Sequence, residues 1–169
     1  MNFKTTLSFT IAVLSASFVF GQNHYKIPSQ NKGLTINLEG FKIERQSYSA
    51  DSSAFELSAF NKRSGITLSI FIEKSEQDGD RLVCRDFYWS KAEKSPLAKE
   101  NLKKYETNNA AMIEHDTKEF NGMKVNYHSV NAYLASADYW IDVHVSKTGY
   151  EEKDKQEFEK VLKSLSIDN

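Results

Sequence analysis

The sequence is poor in cysteine, proline and glycine, and it carries almost no net charge. Its 169 residues include one cysteine, two prolines and seven glycines, and the formal charge at pH 7 is −1. An intramolecular disulfide is therefore impossible, and a collagen-like or low-complexity protein is excluded. The small net charge excludes the strong basic field that non-specific binding to nucleic acid requires, so we expect no nucleic-acid partner.

Motifs that would identify a chemistry are also missing. The sequence has no glycine-rich phosphate loop, no paired-cysteine metal signature, no internal repeat and no Asn-x-Ser/Thr acceptor. It does have 40% hydrophobic and 12% aromatic residues, which is enough for one domain with a packed core. The lone Cys84 fits a small buried hydrophobic position better than a nucleophile, because free cysteines are commonly buried.

Residues 1–21 have the pattern of a secretory signal peptide. A basic start that includes Lys4 precedes an apolar stretch whose polar residues are all Ser or Thr, and Val19 and Gly21 fit cleavage before Gln22. The apolar stretch is shorter than the roughly 20 residues of a membrane span, and no cysteine follows it that could carry a lipid. We expect the mature protein to be exported, periplasmic or extracellular, without membrane insertion and without a lipid anchor.

The mature chain has the alternation of apolar and polar residues that is typical of half-buried strands. Residues 22–32 are polar, which predicts a leader tied loosely to the domain, if at all, and we place a single domain at residues 33–169. Period-2 alternation predicts strands at 34–38, 41–44, 55–59 and 66–72, with a polar loop at 46–54 and the last two strands joined as a hairpin.

A central helix interrupts these strands. Asp80 can cap a helix that runs to Ala92. Val83, Phe87 and Tyr88 lie on one side of that helix, and we expect this side to face the core.

The C-terminal half predicts a three-strand meander and a final helix. The strands begin at Met112, Met123 and Tyr139, and the helix spans 152–165. The apolar stripe of the helix consists of Phe158, Val161, Leu162 and Leu165. We therefore predict an α+β fold in which about six antiparallel strands pack with a central and a C-terminal helix.

The C-terminal stretch resembles that of PsbP-like proteins. Tyr139–Lys147 is followed by an acidic turn and by a helix that ends in Leu162–Ile167, and the order of elements before it is similar, so that the likeness covers residues 33–167. PsbP-like proteins are small exported accessory domains, named after an extrinsic subunit of photosystem II, with an antiparallel sheet between helices. The resemblance implies that fold and an accessory or binding role, and it marks no functional residue.

Three histidines and an aspartate of the meander, His115, His128, His144 and Asp142, are candidate metal ligands. Side chains of these types could bind zinc or copper. Such residues are also common on the polar face of a sheet, and none of these histidines has a partner at helical metal-ligand spacing. We expect no cofactor and no bound metal, and we expect His128→Ala or His144→Ala to change stability little.

Whether these histidines converge depends on strand register. Tight turns predict that His115 lies beside Tyr127 or His128 and that His144 lies near Val130. His128 and His144 would then be diagonal neighbours about 7 Å apart. A shift of one residue would send the side chains to opposite faces.

A hydrolase is the alternative that the same strand suggests. Asp142, His144 and Ser146 share one face, but successive residues on a face lie almost 7 Å apart, roughly twice the reach of a hydrogen bond. A triad needs hydrogen bonds between its members, and the chain has no Gly-x-Ser-x-Gly turn to present a nucleophile.

Aromatic residues are the better indication of a binding surface. Tyr127, Tyr133, Tyr139 and Trp140 lie on the last two strands, and with the aromatic residues of the helix they exceed what one buried layer needs. Exposed Tyr and Trp favour contact with proteins or small ligands, although aromatic residues also fill cores. We predict an exported, non-enzymatic accessory or binding domain whose partner is a protein or small ligand. The alternative is a small metal- or His-dependent hydrolase.

Overall fold

The computed structural model describes residues 22–75 and 79–168, so that the predicted signal peptide, 1–21, lies outside the described residues. The first half contains β1 Gln22–Lys26, β2 Gly33–Asn37, β3 Lys42–Tyr48, β4 Ala54–Asn61, β5 Ile66–Lys74 and α1 Arg81–Ala92. The second half contains β6 Glu100–Glu106, β7 Ala111–Phe120, β8 Met123–Ser136, β9 Tyr139–Thr148, a 3-10 turn Glu152–Asp154, α2 Lys155–Lys163 and β10 Ser166–Ile167.

These elements form three layers. A large antiparallel sheet has the order β3-β4-β5-β9-β8-β7-β6, and a small sheet has the order β1-β2-β10. The small sheet and α2 cover one face of the large sheet and enclose the main hydrophobic core. On the other face α1 packs on β7, β8 and β9 over a second, smaller apolar cluster. The α+β class with antiparallel strands and two packed helices is confirmed.

The β4–β5 hairpin shows why the alternating sequence forms these strands. Leu57 and Ile70 face each other across the pair, and both are buried in the main core. Asn61 closes the turn because its side-chain oxygen accepts hydrogen bonds from the backbone of Arg63 and Ser64. Gly65 ends the turn at φ +73°, a conformation that a residue with a Cβ adopts at a cost. This hairpin lies where the sequence predicts it.

The central helix has the predicted bounds, and two of the three residues predicted to face the core pack there. Asp80 caps it, and its Oδ1 accepts a hydrogen bond from the backbone of Leu82 at 2.6 Å. Phe87 and Tyr88 pack against Trp140 and Tyr133 beside the buried Cys84 and Trp89, whereas Val83, also predicted to face the core, is 39% exposed. Successive residues of a helix lie about 100° apart, so Val83, one position before the buried Cys84, falls outside the packed side.

The strand count is higher than the predicted six, because the described residues contain ten strands. The leader prediction is wrong for Gln22–Lys26, which forms β1 and pairs with β2 along its whole length. Tyr25 in this strand and Ile27 just after it are buried in the main core. Two buried side chains in a polar segment are too few to produce an alternating pattern.

No helix among the described residues is long and apolar enough to cross a membrane.

Candidate functional site

The predicted metal ligands lie on both faces of the large sheet. His128 faces α2, where its Nδ1 lies 2.7 Å from Asp116 Oδ1 and its ring stacks on Tyr150 at 4.1 Å between centroids. His115 and His144 lie on the opposite face, which α1 covers in part. The three histidines therefore do not converge, and the diagonal contact that one register would give His128 and His144 is not formed. Among the described residues no group of three or more His, Cys, Asp or Glu side chains could hold a metal ion.

Two local features shift the register of the β7–β8 and β8–β9 pairs by one residue relative to the predicted pairing. In β7–β8 a bulge between Thr117 and Glu119 places His115 opposite Ser129, whereas uninterrupted pairing from the turn would place it opposite His128. In β8–β9 the turn comprises only two residues, which places His144 opposite Asn131 and not Val130. Since the side-chain period of a strand is two, each shift exchanges the faces.

A hydroxyl cluster surrounds His144 on the α1 face. Ser129 Oγ lies 2.9 Å from His144 Nε2, and Tyr127 OH lies 3.1 Å from the same nitrogen. Burial lowers the pKa of His144 to about 4, so that the ring is neutral at physiological pH. The single lone pair of a neutral ring nitrogen accepts one hydrogen bond well. At least one of the two hydroxyl hydrogens is therefore free to bond to another molecule.

Asp142 lies two residues before His144 on the same face of β9, and it hydrogen-bonds to Asn131 and not to His144. Its Oδ1 accepts a hydrogen bond from Asn131 Nδ2 at 2.9 Å, and burial raises its pKa to about 6. No carboxylate hydrogen-bonds to His144 among the described residues. Ser129 and His144 are thus in contact, but His144 lacks the carboxylate that orients the base of a triad, and its low pKa makes it a weak base. The arrangement does not favour the hydrolase alternative.

The hydroxyl cluster forms the floor of a cavity of about 660 Å³ beside the C-terminal end of α1. The mouth of the cavity is apolar and includes Leu97 and Phe120, which are 38% and 44% exposed. Its polar floor consists of His115, Thr117, Tyr127, Ser129, Asn131 and His144. An apolar cavity with a few convergent polar groups is the usual form of a small-molecule site.

Comparison with known proteins concerns the fold of this chain. No family model matches it, and no curated protein matches it. The solution structure of cyanobacterial PsbP from Synechocystis sp. PCC 6803 aligns with 94% of this chain and 99% of its own, at a TM-score of 0.55 and 12% identity. The chain has a PsbP-like fold. A structure from Bacteroides thetaiotaomicron covers 80% of this chain and 45% of its own, at a TM-score of 0.45 and 11% identity.

The PsbP-like sheet brings one of the four predicted ligand-binding aromatic residues, Tyr127, into the cavity. The other three candidates do not line a binding surface, because Tyr133, Tyr139 and Trp140 are 2%, 3% and 3% exposed. Tyr133 stacks on Tyr88 of α1 at 5.8 Å between ring centroids, and Trp140 also packs under this helix. Tyr139 lies in the main core. These three side chains are therefore part of the two hydrophobic clusters and do not form a binding surface.

Sequence reasoning missed most of the cavity residues of this PsbP-like fold. Ser129 and Asn131 alternate with apolar residues on β8 and follow Tyr127 on one face, which is a signal that a second, polar face exists. The mouth residues Leu97 and Phe120 come from the segment after α1 and from the end of β7, which meet only in the folded protein.

The opposite face has a cavity of about 690 Å³ between α2 and the strands β6, β7 and β8. His128 and Asp116 line it, together with charged residues that are paired to each other. Lys103 Nζ lies 2.8 Å from Glu114 Oε1, for example. Its charges are thus largely compensated within the protein, whereas the α1 cavity presents groups that are still free to bind.

Proposed function

We propose that this protein is an exported, non-enzymatic binding domain that holds a small, largely apolar ligand in the cavity beside α1. The observation that carries the proposal is the combination of an apolar mouth with an uncharged hydroxyl and imidazole floor. Leu97 and Phe120 expose apolar area to water that a ligand would cover. Ser129 and Tyr127, which share His144 Nε2, retain a hydroxyl hydrogen that would orient the ligand.

A neutral fluorescent probe, N-phenyl-1-naphthylamine, tests the proposal on the purified mature protein. We expect saturable binding with enhanced fluorescence, which Phe120→Ser weakens about tenfold because it removes an apolar wall of the mouth. Met123→Ser is the matched control, because Met123 pairs with Phe120 across the β7–β8 turn but does not line the cavity. Absence of saturable binding, or equal effects of the two substitutions, would contradict the proposal.

Export is supported by the N-terminal pattern of residues 1–21. Cleavage before Gln22 would retain all of the described strand Gln22–Lys26, in which Gln22 pairs with Asn37. The intact mass of protein secreted by the native host should therefore correspond to a chain that begins at Gln22. A secreted chain that retains residues 1–21 would exclude this part of the proposal.

A further inference from the structure

The charge distribution around the α1 cavity is one-sided. Among the described residues that line it, Lys99 is the only one with a charged side chain, since His115 and His144 are neutral. Burial lowers the pKa of both histidines, and the positive charge of Lys99 lowers that of His115 further. The field of Lys99 therefore reaches the polar floor, and no carboxylate in the lining opposes it.

Lys99 also lacks a compensating carboxylate. Its Nζ donates to the backbone oxygen of Leu97 at 3.2 Å and lies 5.9 Å from the ring centroid of Trp89, and it has no ion-pair partner among the described residues. In contrast, Lys118 Nζ lies 2.7 Å from Glu100 Oε2, and Lys147 Nζ lies 2.7 Å from Asp154 Oδ2. The ammonium group of the half-buried Lys99, beside an apolar mouth and without a carboxylate partner, is suited to receive an anion from outside the protein.

We propose that the α1 cavity selects an apolar molecule with a single negative charge, whose carboxylate or sulfonate group pairs with Lys99. This inference rests on the proposed function and names its ligand class. The apolar body would lie on Leu97 and Phe120 at the mouth, and a polar atom would accept the free hydroxyl hydrogen of Ser129 or Tyr127. One lysine matches one charge, so a monoanion fits better than a dianion. The cavity volume of about 660 Å³ lies within the range of small-ligand sites.

Two probes that share one aromatic body test this inference. 8-Anilinonaphthalene-1-sulfonate is N-phenyl-1-naphthylamine with an added sulfonate, so the pair differs by the negative charge. We expect Lys99→Met to weaken binding of the sulfonate about five- to tenfold and to leave binding of the neutral probe within about twofold. Lys99→Arg should retain most of the sulfonate affinity, because it keeps the charge.

Lys32→Met is the matched control, since Lys32 is an exposed lysine between β1 and β2, on the other side of the large sheet. It should change neither affinity. Unchanged binding of the neutral probe also shows that the Lys99→Met protein is folded. Displacement of the sulfonate by decanoate, with decanol as the neutral counterpart, distinguishes a fatty acid from an aromatic acid as the class of natural anion.

The outcomes separate the two proposals. If the neutral probe binds and Lys99→Met leaves sulfonate binding unchanged, or Lys32→Met weakens it equally, the inference about charge is wrong and the proposed function stands. If the neutral probe does not bind saturably, the proposed function fails. Sulfonate binding that is insensitive to Phe120→Ser would place the anion elsewhere on the protein and would also overturn the inference.

Discussion

Asp142 and His144 of β9 show how one cause moves two pKa values in opposite directions. Burial disfavours the charged form of each side chain, so the pKa of Asp142 rises to about 6 while that of His144 falls to about 4. As the pH falls below the ordinary value of histidine, the unfolded chain takes up a proton that folded His144 does not, which destabilises the fold. Over the same range folded Asp142 takes up a proton before the unfolded chain does, which stabilises the fold. The two contributions oppose each other between about pH 4 and 6.5.

Substitution of either Asp142 or His144 should reveal the contribution of the other residue to the pH dependence of stability. Urea unfolding at about pH 7 and about pH 4.5 should show that Asp142→Asn loses about 1–2 kcal/mol more on acidification than the unmodified protein, because the offset is gone. His144→Asn should lose about 1–2 kcal/mol less than the unmodified protein, because the unfavourable contribution is gone. Equal losses in all three proteins would show that these residues do not titrate as described.

His128 is a structural residue, contrary to the expectation from its place on a polar strand. It is 8% exposed, contacts Asp116, stacks on Tyr150 and meets the edge of Phe158 at 5.3 Å between ring centroids. We predict that His128→Ala lowers the free energy of unfolding by about 2 kcal/mol, because it removes packed area and a hydrogen bond. His24→Ala, on an exposed histidine with an exposed partner, should cost about 0.5 kcal/mol or less. A loss equal to that of His24→Ala would contradict this prediction.

At the scale of elements, α2 depends on fewer residues than its sequence stripe indicates. Phe158, Val161 and Leu165 are 3%, 4% and 2% exposed, whereas Leu162 is partly buried at the edge of the core. The last residues of this segment continue into β10, which pairs with β2 and so connects the helix to the small sheet. The helix is therefore held by one apolar face and by the strand that follows it.

Two alanine substitutions should separate these positions in α2. We expect Phe158→Ala to cost about 3–5 kcal/mol and Leu162→Ala about 1–2 kcal/mol, because the cost follows the buried volume that is removed. Urea unfolding at constant pH measures both values. If Leu162→Ala costs as much as Phe158→Ala, the helix packs with a different face than described.

At the scale of the whole molecule, the N-terminal segment is part of the core. β1 adds the edge strand of the small sheet, and Ile27, which follows it, is fully buried. This segment therefore helps to hold the layer that covers the main core. An N-terminal segment that only preceded the domain would contribute little to stability.

Substitution of one isoleucine in the N-terminal segment and of one in the domain that follows tests whether this segment is part of the core. Ile27→Ala should lower the free energy of unfolding by about 2–5 kcal/mol, the range for a buried isoleucine. Ile43→Ala is the matched control, since Ile43 is 39% exposed on the edge strand β3, and it should cost less than about 1 kcal/mol. Equal and small costs would show that the segment around Ile27 is only loosely attached.

The sequence by itself determined the elements whose signals are local. The alternation of β4 and β5 and the Asp80 cap of α1 each depend on neighbouring residues, and both lie where they were predicted. β6 escaped prediction because it is exposed along its length and is held by pairing with β7 alone. β1 escaped because its one buried side chain, Tyr25, does not make a pattern.

The tertiary structure alone decided which of the candidate residues meet. Tyr127, His115 and His144 were each recognised from the sequence, but a bulge in β7 and a two-residue turn after β8 set the register that separates them from His128. The side of α1 that packs on the sheet buries Tyr133 and Trp140 and leaves the cavity beside the end of the helix. Strand register follows from the packing of distant segments, and a shift of one residue exchanges the buried and accessible sides of a strand.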